Sequence, residues 1–112
     1  PRLRQWVESI AGERPAIVGG DFNASEGTRQ MIALRSRWVD VFRTMKPADR
    51  GTTHRIALFG HAILRQRLDY LFLKTGSPEF RPICCQLIGS GEQRFSDHLA
   101  VAGWFAVNSP VE

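Results

Sequence analysis

Three short clusters hold the polar side chains that can do chemistry: Gly20-Asp21-Phe22-Asn23, Arg67-Leu68-Asp69-Tyr70 and Ser96-Asp97-His98. In each, a carboxylate lies beside the end of an apolar run that reads as a strand, and open α/β sheets gather ligand sites at strand ends. Three acids and one imidazole brought together there can bind a hard cation and move a proton. Each cluster taken singly has a plainer reading. Asp-x-Asn after a strand is commonly a turn, because both side chains satisfy local backbone groups. Asp69 within Leu-Asp-Tyr can be a structural carboxylate, and Ser-Asp-His an ordinary loop.

The elements that must position these residues follow from pattern. Leu3, Trp6, Val7 and Ile10 fall at i, i+3, i+4 and i+7, one face of a helix, and Gly12 followed by Pro15 ends it. The unbroken apolar stretch Ala16-Ile17-Val18-Gly19-Gly20 predicts a strand covered on both faces. Ser25 is placed to cap a helix over 28–34. Trp38, Val39, Val41 and Phe42 predict a helical turn, and 46–51 a loop. A short strand is expected over 52–56 and a long loop over 57–66. Strands follow over 68–73, 81–88 and 99–107, with turns at Gly76-Ser77-Pro78 and Gly89-Ser90-Gly91. Residues 1–112 read as one piece of one domain, without repeats or low-complexity tracts.

In this order and spacing, the three clusters resemble the endonuclease/exonuclease/phosphatase superfamily, which includes DNase I-like nucleases, abasic-site endonucleases, sphingomyelinases and inositol-phosphate 5-phosphatases. The matching pieces are Pro15-Ala16-Ile17-Val18-Gly19-Gly20-Asp21-Phe22-Asn23, Arg67-Leu68-Asp69-Tyr70-Leu71-Phe72 and Phe95-Ser96-Asp97-His98-Leu99-Ala100-Val101. They span nearly the whole chain. The resemblance implies an α/β fold: half of a four-layer α/β-β/α sandwich, with one mostly antiparallel or mixed sheet and helices on one face. It also implies a divalent-metal-dependent phosphoester hydrolase, a phosphodiesterase, nuclease or phosphatase.

Roles follow from the same resemblance. Asp21 would orient or deprotonate the attacking water. Asn23 would hydrogen-bond the scissile phosphate, and His98 would donate to a non-bridging phosphate oxygen. Asp69 would hold the other imidazole nitrogen. Asp97, with Asp21 nearby, would serve the metal, Mg²⁺ or Mn²⁺. Thr53 matches a strand threonine near the phosphate in the family, although β-propensity alone also explains a threonine there. Family members are about twice this length, so an N-terminal half carrying a metal-binding Glu is expected to be missing. The sheet face that meets that half would then be exposed and open to self-association.

Composition narrows the alternatives. The chain has 112 residues, 43% hydrophobic and 23% charged, which fits one small globular domain and not a coiled coil or a disordered segment. Its apolar runs are too short to span a bilayer. The net charge is +4, and thirteen of the fifteen basic residues are Arg, whose planar fork suits phosphate. A basic rim of Arg55, Arg65 and Arg67 would suit a polyanion, and so would a non-catalytic nucleic-acid-binding module. An inert dimeric fragment is the third reading. Adjacent Cys84 and Cys85 point to opposite faces of a strand, which suits buried residues better than a disulfide. Trp38 and Trp104 read as core residues, Tyr70 as a strand residue packed beside the site, and His54 and His61 as loop histidines.

Overall fold

The computed structural model describes residues 2–58, 61–89 and 96–108, with the side chains of 56–58 and 61–64 outside the description. Phe95 and the side chain of His61 therefore lie outside the described residues. The chain runs α1 (Arg2–Ala11), β1 (Ala16–Asp21), α2 (Arg29–Arg35), β2 (Val39–Asp40), α3 (Val41–Met45), β3 (His54–Leu58), β4 (His61–Gln66), β5 (Asp69–Lys74), β6 (Glu79–Ile88) and β7 (Ala100–Asn108). It is a strand-rich α+β fold with small antiparallel sheets. A three-stranded sheet has the order β1-β5-β2, and β3-β4 and β6-β7 form two hairpins. The expected mostly antiparallel strand pairing holds, while the strands form more than the one sheet expected. Every described pairing is antiparallel, and the strands divide among three sheets.

Most local expectations hold, with reasons. Gly12 adopts φ 60 just past α1, and its N–H returns to the Glu8 carbonyl at 2.9 Å, the left-handed stop that glycine adopts without strain. The cap of α2 is Thr28 instead of Ser25. The Thr28 hydroxyl accepts from the Met31 N–H at 3.4 Å, while the Ser25 carbonyl accepts from Thr28. The helical turn expected around Trp38 splits into β2 and α3 because Asp40 acts as a cap, its carboxylate accepting from the Arg43 N–H at 3.3 Å. Residues 57–58 and 61–66, expected to lie in a loop, instead pair within the strands β3 and β4, with a register shift between Ile56 and Ala57.

Two cores flank β5. Strand alternation puts Tyr70 and Phe72 on one side and Leu71 and Leu73 on the other. Tyr70 and Phe72 join Met31, Leu34 and Trp38, with Val7, Val18 and Phe22 packed against them. Leu73 joins Val41, Phe42 and Cys85, with Leu71, Val101 and Phe105 around it. Burying each of these large side chains stabilises the fold by roughly 2–3 kcal/mol. Helix α3 belongs to the second core, so the helices are not confined to one face. Gly51, at φ 69, lies so close to Phe42 that an added Cβ would meet its ring at 2.7 Å.

Some residues depart from the expected burial. Strand β1 is not covered on both faces, since Ile17 is exposed, and α1 buries no residue completely. Trp6 and Ile10 face solvent, and Trp104 does too, whereas Trp38 is core as expected. Cys85 is buried and Cys84 partly so, and both are free thiols. No helix among the described residues is long and apolar enough to cross a membrane.

Candidate functional site

The antiparallel register of β1 and β5 sets Asp21, the last residue of one, directly opposite Asp69, the first of the other. Like charges facing across a ladder are destabilising unless something positive lies between them. His98 supplies it. Its Nδ1 is 2.6 Å from Asp69 Oδ2, and its Nε2 is 4.0 Å from Asp21 Oδ2. The hydrogen bond to Asp69 raises the imidazole pKa above its ordinary value. Partial burial opposes the shift, and the charges of Asp69, Asp21 and Asp97 add to it.

Thr53 builds the floor that makes this possible. Its hydroxyl oxygen accepts from the backbone N–H groups of Leu68 at 3.0 Å and Asp69 at 3.2 Å. Its own carbonyl accepts from Leu99 N–H at 2.8 Å. One buried threonine therefore ties the start of β3, the start of β5 and the residue after His98 to one another. Thr53 is 1% exposed, and the role its hydroxyl shows here is to position the start of β5. His98 is held from its other flank as well, because its N–H donates to Ser96 Oγ at 3.1 Å and its backbone bridges to His54.

The Asp21-Phe22-Asn23 segment is both a turn and part of the cluster. Asp21 Oδ1 accepts from the Asn23 N–H at 2.7 Å, which stabilises Asn23 at φ 49. Oδ2 of the same carboxylate is left facing His98. The side-chain amide of exposed Asn23 has no hydrogen bond among the described residues. A depression of about 260 Å³ opens beside Asp69, floored by Gly19, Gly20, Leu99 and Ala100, where the two glycines carry no side chain to fill it.

Four of the six expected site residues, Asp21, Asn23, Asp69 and His98, thus meet at one end of β1 and β5. Asp97 is exposed on the far side of His98, where its Oδ2 lies 3.7 Å from His54 Nε2. His54, inside the strand expected over 52–56 but read as a loop histidine and not as a site residue, begins β3, its ring centroid 4.7 Å from that of His98. The available signal was its neighbour Thr53, whose position fixes His54 beside the site. Among the described residues, two groups could hold a metal ion: Asp21, Asp69 and His98, and His54, Asp97 and His98.

Arg67 does not join a basic rim. It is buried, its guanidinium donating to both Asp40 oxygens at 2.6 and 2.7 Å and lying 4.3 Å from the Tyr70 ring centroid. Tyr70 packs beside the site as expected. Its hydroxyl is directed between the carbonyls of Ala24 and Arg67, and burial pushes its pKa up to about 12, so it stays neutral. Comparison with family models, curated proteins and solved structures finds no match to this chain.

Proposed function

We propose that the chain carries catalytic residues of a divalent-metal-dependent phosphoester hydrolase of the endonuclease/exonuclease/phosphatase type, as the C-terminal half of a four-layer sandwich. One observation carries this reading: His98 is held between two opposed carboxylates, with Nδ1 on Asp69 and Nε2 turned toward Asp21. The Asp69 contact raises the imidazole pKa and so favours the protonated ring, whose open N–H suits a phosphate oxygen. Asp21, through the oxygen not used in its turn, orients the attacking water and accepts its proton. The Asn23 amide hydrogen-bonds the same phosphate. Asp69 keeps the ring oriented.

The oxygens of Asp21 and Asp97 suit a hard cation such as Mg²⁺ or Mn²⁺, with further ligands from water, substrate and the N-terminal half the reading includes. Such an ion would stabilise charge on the phosphoryl and leaving oxygens. The exposed apolar side chains Ile17, Ile83 and Trp104 are consistent with a face that meets that half or a second copy.

The test is hydrolysis of a chromogenic phosphodiester and of plasmid DNA, by the chain alone and joined to such a half, with Mg²⁺, Mn²⁺ or chelator. His98→Ala should lower metal-dependent turnover by at least about 100-fold. If the joined protein turns over neither substrate, the reading fails. A second reading, nucleic-acid binding without chemistry, draws on exposed Arg55 and Arg65, which face each other across the β3-β4 hairpin. Its mark in the same experiment is DNA binding that weakens steeply with salt and ignores Mg²⁺.

A further inference from the structure

We propose that His54, Asp97 and His98 form a binding site for a zinc-class transition-metal ion, distinct in ligand chemistry from the oxygen-rich use of Asp21 and Asp97. Their ligand atoms all lie within 4.8 Å of one another, and His54 Nε2 is already 3.7 Å from Asp97 Oδ2. Ligand atoms around a tetrahedral Zn²⁺ sit roughly 3.3–3.6 Å apart, given bonds of about 2.0–2.2 Å. Closing the remaining gap asks for a small rotation, chiefly of the exposed Asp97 side chain. The backbones that carry the two imidazoles are already joined by the bridge between His54 and His98.

The ring nitrogens are also assigned by their surroundings. His98 Nδ1 is committed to Asp69, the carboxylate–histidine arrangement that typically orients a metal-ligating imidazole, so Nε2 is its ligand atom. His54 Nδ1 is buried and has no hydrogen-bond partner among the described residues, so Nε2 is the nitrogen it presents. A metal at Nε2 leaves the ring proton on that buried Nδ1, a cost the metal–nitrogen bond must exceed. Two imidazoles and one carboxylate with an open fourth position favour Zn²⁺ over Mg²⁺, which asks for octahedral oxygen ligands.

Occupancy has a consequence that rests on the proposed hydrolysis. The ion takes His98 Nε2, the same nitrogen that would meet phosphate, so Zn²⁺ would inhibit turnover supported by Mg²⁺. Binding itself does not depend on that activity.

The experiment uses the chain as it stands, titrated with Co²⁺ as a spectroscopic stand-in and with Zn²⁺ by calorimetry. One Co²⁺ per chain with intense visible absorption of four- or five-coordinate type is expected, displaced by Zn²⁺. His54→Phe keeps an aromatic ring beside His98 and removes the ligand, and it should weaken Zn²⁺ binding at least tenfold. Circular dichroism melting checks the variant's fold. Should that variant not fold, imidazole ¹⁵N shifts in the unaltered chain decide the matter, because Zn²⁺ must move the His54 Nε2 resonance. Unchanged Zn²⁺ affinity in a folded His54→Phe chain, only the weak octahedral Co²⁺ spectrum, or an unmoved Nε2 resonance would each overturn the site. A chain that binds Zn²⁺ in this way and hydrolyses no phosphoester would keep the site and lose the hydrolase.

Discussion

Two charged clusters lie within this small molecule, and they are built on opposite terms. Around Arg67 everything is closed. Its guanidinium meets Asp40 with two hydrogen bonds, lies 3.2 Å from Glu26, and rests between the rings of Tyr70 and Phe42. Arg43 grips the other side of Glu26 with two contacts of 2.7 Å. The side chains of Arg67 and Asp40 are 4% and 3% exposed. Around His98 the arrangement stays open. Asp69 Oδ2 meets His98 Nδ1 at 2.6 Å, but His98 Nε2 lies 4.0 Å from Asp21, beyond hydrogen-bond reach, and Asp21 is half exposed. A cluster whose donors and acceptors are all matched holds the fold. One that leaves directed nitrogens and oxygens toward solvent has capacity left for a ligand.

The sharpest way to break this contrast is to remove a partner from the closed cluster. Arg67→Met keeps much of the volume between Tyr70 and Phe42 but strands the Asp40 carboxylate in the interior. Breaking a buried pair in that way costs about 3–5 kcal/mol. A large fall in the urea midpoint is expected, in a domain of this size enough to unfold much of the population. A loss below about 1 kcal/mol would mean that Asp40 finds water or another donor, and that the cluster is less closed than its geometry.

Glu26 gives the next largest effect, and it is tunable by pH. The hydrogen bond from Arg43 lowers its pKa from 4.5 to about 2, burial opposes the shift, and the charges of Arg67 and Arg43 assist. A folded-state pKa below the unfolded value means stability that is complete above pH 4.5 and is lost as pH falls through about 2. The contribution is on the order of 2 kcal/mol, since the side chain keeps some solvent screening. Glu26→Gln should flatten stability against pH across that window, measured by urea unfolding at several pH values. Equal slopes for the two proteins would remove Glu26 from the network.

What the sequence disclosed follows the same division. Asp21, Asn23, Asp69 and His98 were legible because each sits at the end of an apolar run, and the runs became β1, β5 and β7. Helix α1 and its glycine stop were legible from spacing. The closed cluster was not, because Asp40 and Arg67 are 27 positions apart and nothing local tells a buried arginine from a surface one. Arg67 was therefore assigned to a rim. The location of Thr53 was legible, but the contacts of its hydroxyl, which accepts from the Leu68 and Asp69 N–H groups fifteen and sixteen positions away, were not. The strand around His54 was legible, but its partner β4 was hidden by the lack of alternation over 57–66, and the place of His54 beside His98 was not visible in the sequence.

The smallest expected effect on stability comes from the open cluster. Asp69→Asn removes one of two like charges that face each other across β1 and β5, which is favourable, and weakens a charge-assisted hydrogen bond to His98, which is not. The Asn oxygen can still accept from Nδ1–H, and the site is partly solvated. The two effects nearly cancel, leaving a change below about 1 kcal/mol. The imidazole itself is the sensitive reporter. Its raised pKa means a stabilising contribution present below the ordinary histidine range and lost as pH rises through the folded value. With Asp69 neutral, the His98 titration followed by proton NMR should move down toward that range while the melting temperature stays close to the unaltered protein's. If the variant unfolds as readily as Arg67→Met, the His98 cluster is holding the fold as the Arg67 cluster does, and the contrast between them collapses. If it stays folded and the imidazole does not shift, Asp69 is not what holds the proton, and the charge of Asp21 across the ladder becomes the candidate for that role.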